Sequence, residues 1–106
     1  MVKFLVLWNT PADPVAFERH YREVHIPLVR QLPSLRRYTA GCHATALRGE
    51  PYYWIAEAEW DTMEALQKAF QSPQGQAVSQ DVANLAHHAQ VRSMVYEVEE
   101  LESAHD

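Results

Sequence analysis

A chain of 106 residues with 47% hydrophobic residues and a formal charge of −5 has the makings of one small globular domain, residues 1–106, whose core needs neither disulfide nor metal. The acidic balance and the scattering of the basic residues argue against a nucleic-acid surface, and no apolar run is long enough to cross a bilayer. Cys42 has no cysteine to pair with, and the opening MVKFLVLW lacks the longer apolar core and cleavage site of a signal peptide, so a cytoplasmic protein is expected.

In chain order, Lys3 to Trp8 reads as a first strand, apolar on both faces: Phe4, Val6 and Trp8 on one, Leu5 and Leu7 on the other. Asp13 is a good N-cap and Pro14 suits the first helical position, so a helix is predicted from there to about Gln31. Its apolar stripe is Phe17, Tyr21, Val24, Leu28 and Leu32. His25 sits at the edge of that stripe, and Pro27, which cannot donate to the Glu23 carbonyl, is expected to kink the helix beside it. Leu35 to Leu47 and Tyr52 to Trp60 read as a hairpin around the turn Arg48-Gly49-Glu50-Pro51. Asp61 is expected to cap a helix carrying Met63, Leu66 and Phe70. Ser72-Pro73 opens another with the stripe Val78, Val82, Leu85 and Ala86. Val91 to Val98 is the last strand, and Glu99 to Asp106 an acidic tail expected to fray.

The order β-α-β-β-α-β predicts an α+β fold: a ferredoxin-like, four-stranded antiparallel sheet with its helices on one face. The helices leave the other face of a two-faced first strand uncovered. A second copy packed sheet to sheet is the economical cover, so a homodimer is expected.

Among candidate site residues, His25 comes first, because imidazole can donate or accept a proton near neutrality. The bland reading is a boundary histidine bonded to a tyrosine or a carbonyl. Tyr21, one turn earlier, is placed to bind a ligand or orient the imidazole, although a tyrosine in such a stripe is more often core. Leu28, Tyr38, Trp54 and Trp60 are expected to line a pocket, with Tyr53 as a further aromatic, where Ala40, Cys42, Ala44, Ala56 and Ala58 leave volume. Ordinary interlocking of aromatics with alanines is the competing outcome. Glu57 and Glu59 share a strand face and call for a partner, with Arg36, Arg37 and His43 as candidates across the hairpin. Cys42 reads as an inert buried thiol. His87 and His88 diverge on a helix, as do His20 and His25 five apart, and no His-x-x-x-His pair occurs, so no metal site is expected. Three glycines leave no phosphate loop, nothing calls for haem, and no cofactor is expected.

The helix pattern Phe17, Tyr21, His25, Pro27, Leu28, followed by Leu32-Pro33 and Leu35, then Ser72-Pro73, Gly75 and Asp81, resembles the EthD family, named for ethyl tert-butyl ether degradation. The resemblance runs over nearly the whole chain. It implies a dimeric α+β barrel with a pocket between sheet and helices in each subunit. Relatives in that superfamily include cofactor-free monooxygenases, muconolactone isomerases, polyketide cyclases and haem proteins. The expectation is a homodimer binding a small, largely apolar organic molecule under the first helix, without nucleic-acid or membrane partners. As an enzyme it would be a cofactor-independent isomerase, cyclase or oxygenase-type protein using His25 for proton transfer, with Tyr21 as orienter. The alternatives are a non-catalytic ligand-binding or accessory subunit of a degradative pathway, and a dimer module whose pocket its own side chains fill.

Overall fold

A computed structural model of the chain describes residues 1–102. Strands β1 (Val2–Trp8), β2 (Arg37–Cys42), β3 (Trp54–Trp60) and β4 (Val91–Glu97) form one antiparallel sheet in the order β2-β3-β1-β4. Between β1 and β2 run α1 (Pro14–His20), a π-helical turn (Tyr21–His25) and α2 (Ile26–Val29). Between β3 and β4 lie α3 (Met63–Gln71) and α4 (Pro73–Leu85). This is the expected ferredoxin-like architecture. Of the expected acidic tail, residues 99–102 form no helix or strand, and the remainder lies outside the described residues.

Register decides which side chains meet the helices. Val2, Phe4, Val6 and Trp8 lie opposite Trp60, Ala58, Ala56 and Trp54, so large and small residues face each other across β1 and β3. Tyr38 pairs with Ala58 on the same face. Trp8, Phe17, Tyr21, Trp60 and Leu85 are almost wholly buried, each contributing about 1.5–3 kcal/mol of hydrophobic stabilisation. The Trp60 indole N–H also donates to the Pro33 carbonyl at 2.9 Å, tying the exit of the first helical segment to the sheet.

The other sheet face carries Leu5 and Leu7, flanked by Ile55 and Met94. Met94 and Tyr96 remain 45% and 38% exposed there. Glu57 and Glu59 lie on this face too, but not with the partners expected. Lys3 of β1 reaches both, at 3.9 and 3.3 Å; it stands opposite Glu59 on one side, as Arg37 of β2 does on the other. Arg36 instead meets Asp61 at 3.5 Å.

The helix starts follow from capping. Asp13 accepts from the Ala16 N–H at 3.1 Å. Thr62, not Asp61, caps α3 through the Ala65 N–H, since its backbone is extended and its hydroxyl lies three residues before that donor. Ser72 caps α4 through the Gly75 N–H at 3.1 Å. Gly75 is itself a packing requirement, because a Cβ there would collide with the Ala69 carbonyl oxygen and the Phe70 backbone. Cys42 is exposed, and Ala40 with it, because β2 is an edge strand that the helices only partly cover.

Substituting Gly75→Ala should therefore force α3 and α4 apart. We expect a loss of about 1–3 kcal/mol, read as a lowered thermal midpoint. An unchanged midpoint would contradict the close approach.

Candidate functional site

The site is built on a change of helical pitch. In the π turn the Ile26 N–H reaches back five residues to the Tyr21 carbonyl, one more than in an α-helix. The next residue, Pro27, has no N–H and its ring would crowd the Glu23 carbonyl of a regular helix. The wide turn accommodates both defects, and Pro27 then sits in the first turn of α2. The bend expected at Pro27 is thus taken up by the preceding turn.

The extra residue re-registers the buried stripe. The inward residues are Phe17, Tyr21, His25, Val29 and Leu32, all at most 5% exposed. Val24, predicted to face inward, is turned out at 40% exposure, and Leu28 moves to the flank, packed on the core without lining the cavity. His25 thereby shifts from the border of the stripe to its middle. The wide turn also aligns His20 with His25. Five residues apart, these diverge on an α-helix, but here both reach the same carboxylate.

That carboxylate is Asp81 of α4, 4% exposed. Its Oδ2 lies 2.8 Å from His25 Nδ1 and its Oδ1 2.6 Å from His20 Nε2, with Asn84 Nδ2 at 3.4 Å from Oδ1. Burial alone pushes the Asp81 carboxyl pKa up, but the hydrogen bonds from His20 and His25, helped by Asn84, outweigh it and hold the pKa below its ordinary value. An ionised carboxylate only accepts hydrogen bonds, so both imidazoles donate to it. Donation by Nδ1 leaves the Nε2 of a neutral His25 with a lone pair. That nitrogen has no hydrogen-bonding partner among the described residues. Burial lowers the His25 pKa below 6.5, Asp81 pulls it back only in part, and charge on His20 lowers it further. At neutral pH His25 is therefore an uncharged imidazole oriented by a carboxylate.

His25 lines a cavity of about 260 Å³ between the sheet and the helices. Phe4, Trp60 and Phe70 supply aromatic wall, Ala56 and Ala58 the missing volume, and Val78 and Val82 of α4 a further side. Tyr21 and Tyr38 also line it, their hydroxyls 3.0 Å apart. Burial raises both phenol pKa values, so both remain protonated.

The expected site residues divide as follows. His25, Tyr21, Tyr38 and Trp60 meet at one cavity. Trp54 is buried against Tyr21, with the Arg22 guanidinium over its ring, and does not line it; Leu28 does not either. Tyr53 is drawn away to Glu18, to which its hydroxyl donates at 2.8 Å. The group that orients His25 is Asp81, not Tyr21, whose hydroxyl is spent on Tyr38 while its ring packs 4.9 Å from the imidazole. Asp81 and His20 were missing from the expected site. The available signal was that Asp81 interrupts an apolar stripe, three residues after Val78 and four before Leu85.

The burial of His25 in neutral form fixes the sign of a pH effect. Its folded pKa lies below the unfolded 6.5, so the unfolded chain binds more protons as pH falls through and below 6.5. This contribution to stability is present above pH 6.5 and is lost on acidification until the folded pKa is passed. Asp81 adds a second loss at lower pH, below its unfolded value of 3.8. Thermal midpoints of the wild type should fall below pH 6.5, and His25→Gln, which keeps a donor for Asp81, should flatten that first decline. Identical slopes in the two proteins would contradict a buried neutral His25.

The comparisons with known proteins agree with this architecture. Residues 9–89 match the model of the EthD domain. An uncharacterised 11.0 kDa protein from the thcB-thcC intergenic region of Rhodococcus erythropolis is 41% identical over 88 residues, covering 81% of this chain and 84% of that protein. The crystal structure of an EthD family protein from Bacillus halodurans superposes with a TM-score of 0.82 at 30% identity, over 93% of this chain and 99% of that one. SnoaB of Streptomyces nogalater, a cofactor-independent oxygenase, shares the fold at a TM-score of 0.69 and 16% identity, over 96% of this chain and 97% of that one. Sequence and structure together make this chain a member of the EthD family.

Proposed function

We propose that the protein binds a small, largely apolar organic molecule in the cavity and removes a proton from it with His25 Nε2. One observation carries the reading: the free nitrogen of a carboxylate-oriented imidazole belongs to a residue lining a ligand-sized apolar cavity. The predominantly apolar wall leaves room for a planar ring between Trp60, Phe70 and the two alanines. Asp81 fixes the tautomer and stabilises the imidazolium as it forms. Of the paired hydroxyls of Tyr21 and Tyr38, one proton serves the bond between them and the other is available to a ligand oxygen. Such chemistry suits an isomerase, a cyclase or a cofactor-independent oxygenase step, each of which can begin with a carbanion or enolate. The likeness to SnoaB is compatible with this and establishes only the fold. The second reading, a non-catalytic binding or accessory subunit, uses the same cavity without the proton transfer.

We also infer a homodimer formed through the open sheet face. The support is its apolar strip of Leu5, Leu7, Met94 and Tyr96, which no helix covers.

β-Tetralone, an apolar bicyclic ketone with acidic hydrogens beside its carbonyl, tests the reading. The wild type should bind it and accelerate deuterium exchange at that carbon in heavy water. His25→Ala should keep binding and lose about 10²–10⁴-fold of the acceleration. Ala58→Leu should lose binding by about tenfold or more. Binding with no accelerated exchange would select the accessory reading, and no binding would remove both. Light scattering on the same sample should give twice the 12.2 kDa chain mass; a clean monomer would overturn the dimer.

A further inference from the structure

Asp81 divides its two oxygens between imidazoles in unlike surroundings. His25 is 5% exposed and faces the cavity, whereas the His20 side chain retains 35% exposure and reaches solvent. We propose that His20 is a positioning residue for the cavity base: it anchors one oxygen of Asp81 so that the other stays aimed at His25, and on taking up a proton from solvent it weakens the pull of Asp81 on a proton at His25. The inference rests on the reading of His25 as the base and adds the means by which its proton affinity is set from outside.

The geometry separates anchor from orienter. At Oδ1 the contact to His20 is 2.6 Å, while Asn84 stands at 3.4 Å, near the limit of a useful hydrogen bond. His20 is thus the main anchor. It comes from α1, His25 from the π turn and Asp81 from α4, so a single carboxylate bridges three elements. A carboxylate that already balances one imidazolium has less left to stabilise a second, so two imidazoles across it bind protons anticooperatively.

Among the described residues no other charged side chain bonds Asp81 or His25: Glu18 of α1 is held by the Tyr53 hydroxyl, Arg19 is exposed, and Arg30, whose charge reaches Tyr38, is exposed too. The segment IPLV of α2 has no ionisable side chain, and Asp81 is the only charged residue of α4. The sheet presents Tyr38, Trp60, Phe4, Ala56 and Ala58, and the π turn adds Tyr21. Among the described residues, Tyr21 and Tyr38 are the only other ionisable groups lining the cavity, and both are neutral across the range in which imidazoles titrate. The remaining charged residues of the π turn, Arg22 and Glu23, are exposed, with Arg22 stacked over Trp54. Charge sensed by His25 from a neighbouring group therefore comes from Asp81 and His20.

The test follows the imidazole resonances of His25 and His20 through a pH titration of the ligand-free protein, in the wild type, His20→Gln and His20→Arg. Glutamine keeps a donor without charge, and arginine keeps a donor with permanent charge. The His25 midpoint should lie about half a pH unit or more higher in His20→Gln than in His20→Arg. In the wild type the His25 signal should also respond at the pH where His20 titrates. Equal His25 midpoints in the two variants, or a wild-type His25 curve blind to His20, would overturn the proposal, and the second arm needs no variant to fold. Because no ligand is present, failure here leaves the binding and exchange experiments standing, and failure there leaves this coupling intact.

Discussion

A single buried carboxylate organises the helical layer. Removing the charge of Asp81 from water costs several kcal/mol unless donors surround it, and the chain supplies them from two separate stretches. His20 and His25 come from the first helical segment, Asn84 from α4 itself. The bonds between α1, the π turn and α4 hold two elements that cross the sheet independently, and they do so beside the cavity. The polar interaction that fixes the helices is therefore the one that sets the tautomer of the cavity histidine. Structural and chemical demands on Asp81 cannot be separated by simple deletion, and so substitutions at His25 and His20 are more informative than loss of the carboxylate.

The π turn makes this arrangement possible. A regular α-helix places residues 20 and 25 on different faces; a turn closed by a bond to the fifth residue back brings them toward one side. Pro27 gives a local reason for the turn, because the regular bond to Glu23 cannot form there. The sheet gives the complementary reason for the space. Opposite Phe4 and Val6 of the central strand stand Ala58 and Ala56, so the layer beneath His25 is left unfilled. Trp60, Phe70 and Val78 close the sides, leaving an apolar chamber with its polar groups confined to one histidine, two phenols and two serines.

Much of the architecture was legible in the sequence, and the misses within the first helical segment share one origin. Strand order, the helix starts at Asp13 and Ser72, and the uncovered face of β1 all follow from local signals that the fold respects. The first helical stripe was misread at Val24 and Leu28, because a period of 3.6 was assumed where the chain uses a wider turn. Spacings of four at Phe17, Tyr21, His25 and Val29 already carry that information, for three such steps overrun regular turns. The same assumption made His20 and His25 diverge. Asp81 appeared only as part of a family pattern, although its place among Val78, Val82 and Leu85 marks an acid on a buried face. Trp54 could not be separated from Trp60 as a cavity residue, since they share a sheet face and only the packing of Tyr21 and Arg22 decides between them.

The central claim is that His25 is a neutral imidazole, protonated on the nitrogen facing Asp81 and bare on the other. Nitrogen-15 chemical shifts of the His25 ring at neutral pH read both sites at once. A protonated signal for Nδ1 and an unprotonated signal for Nε2 is the predicted result. The reverse tautomer, or a ring protonated on both nitrogens at that pH, would contradict it.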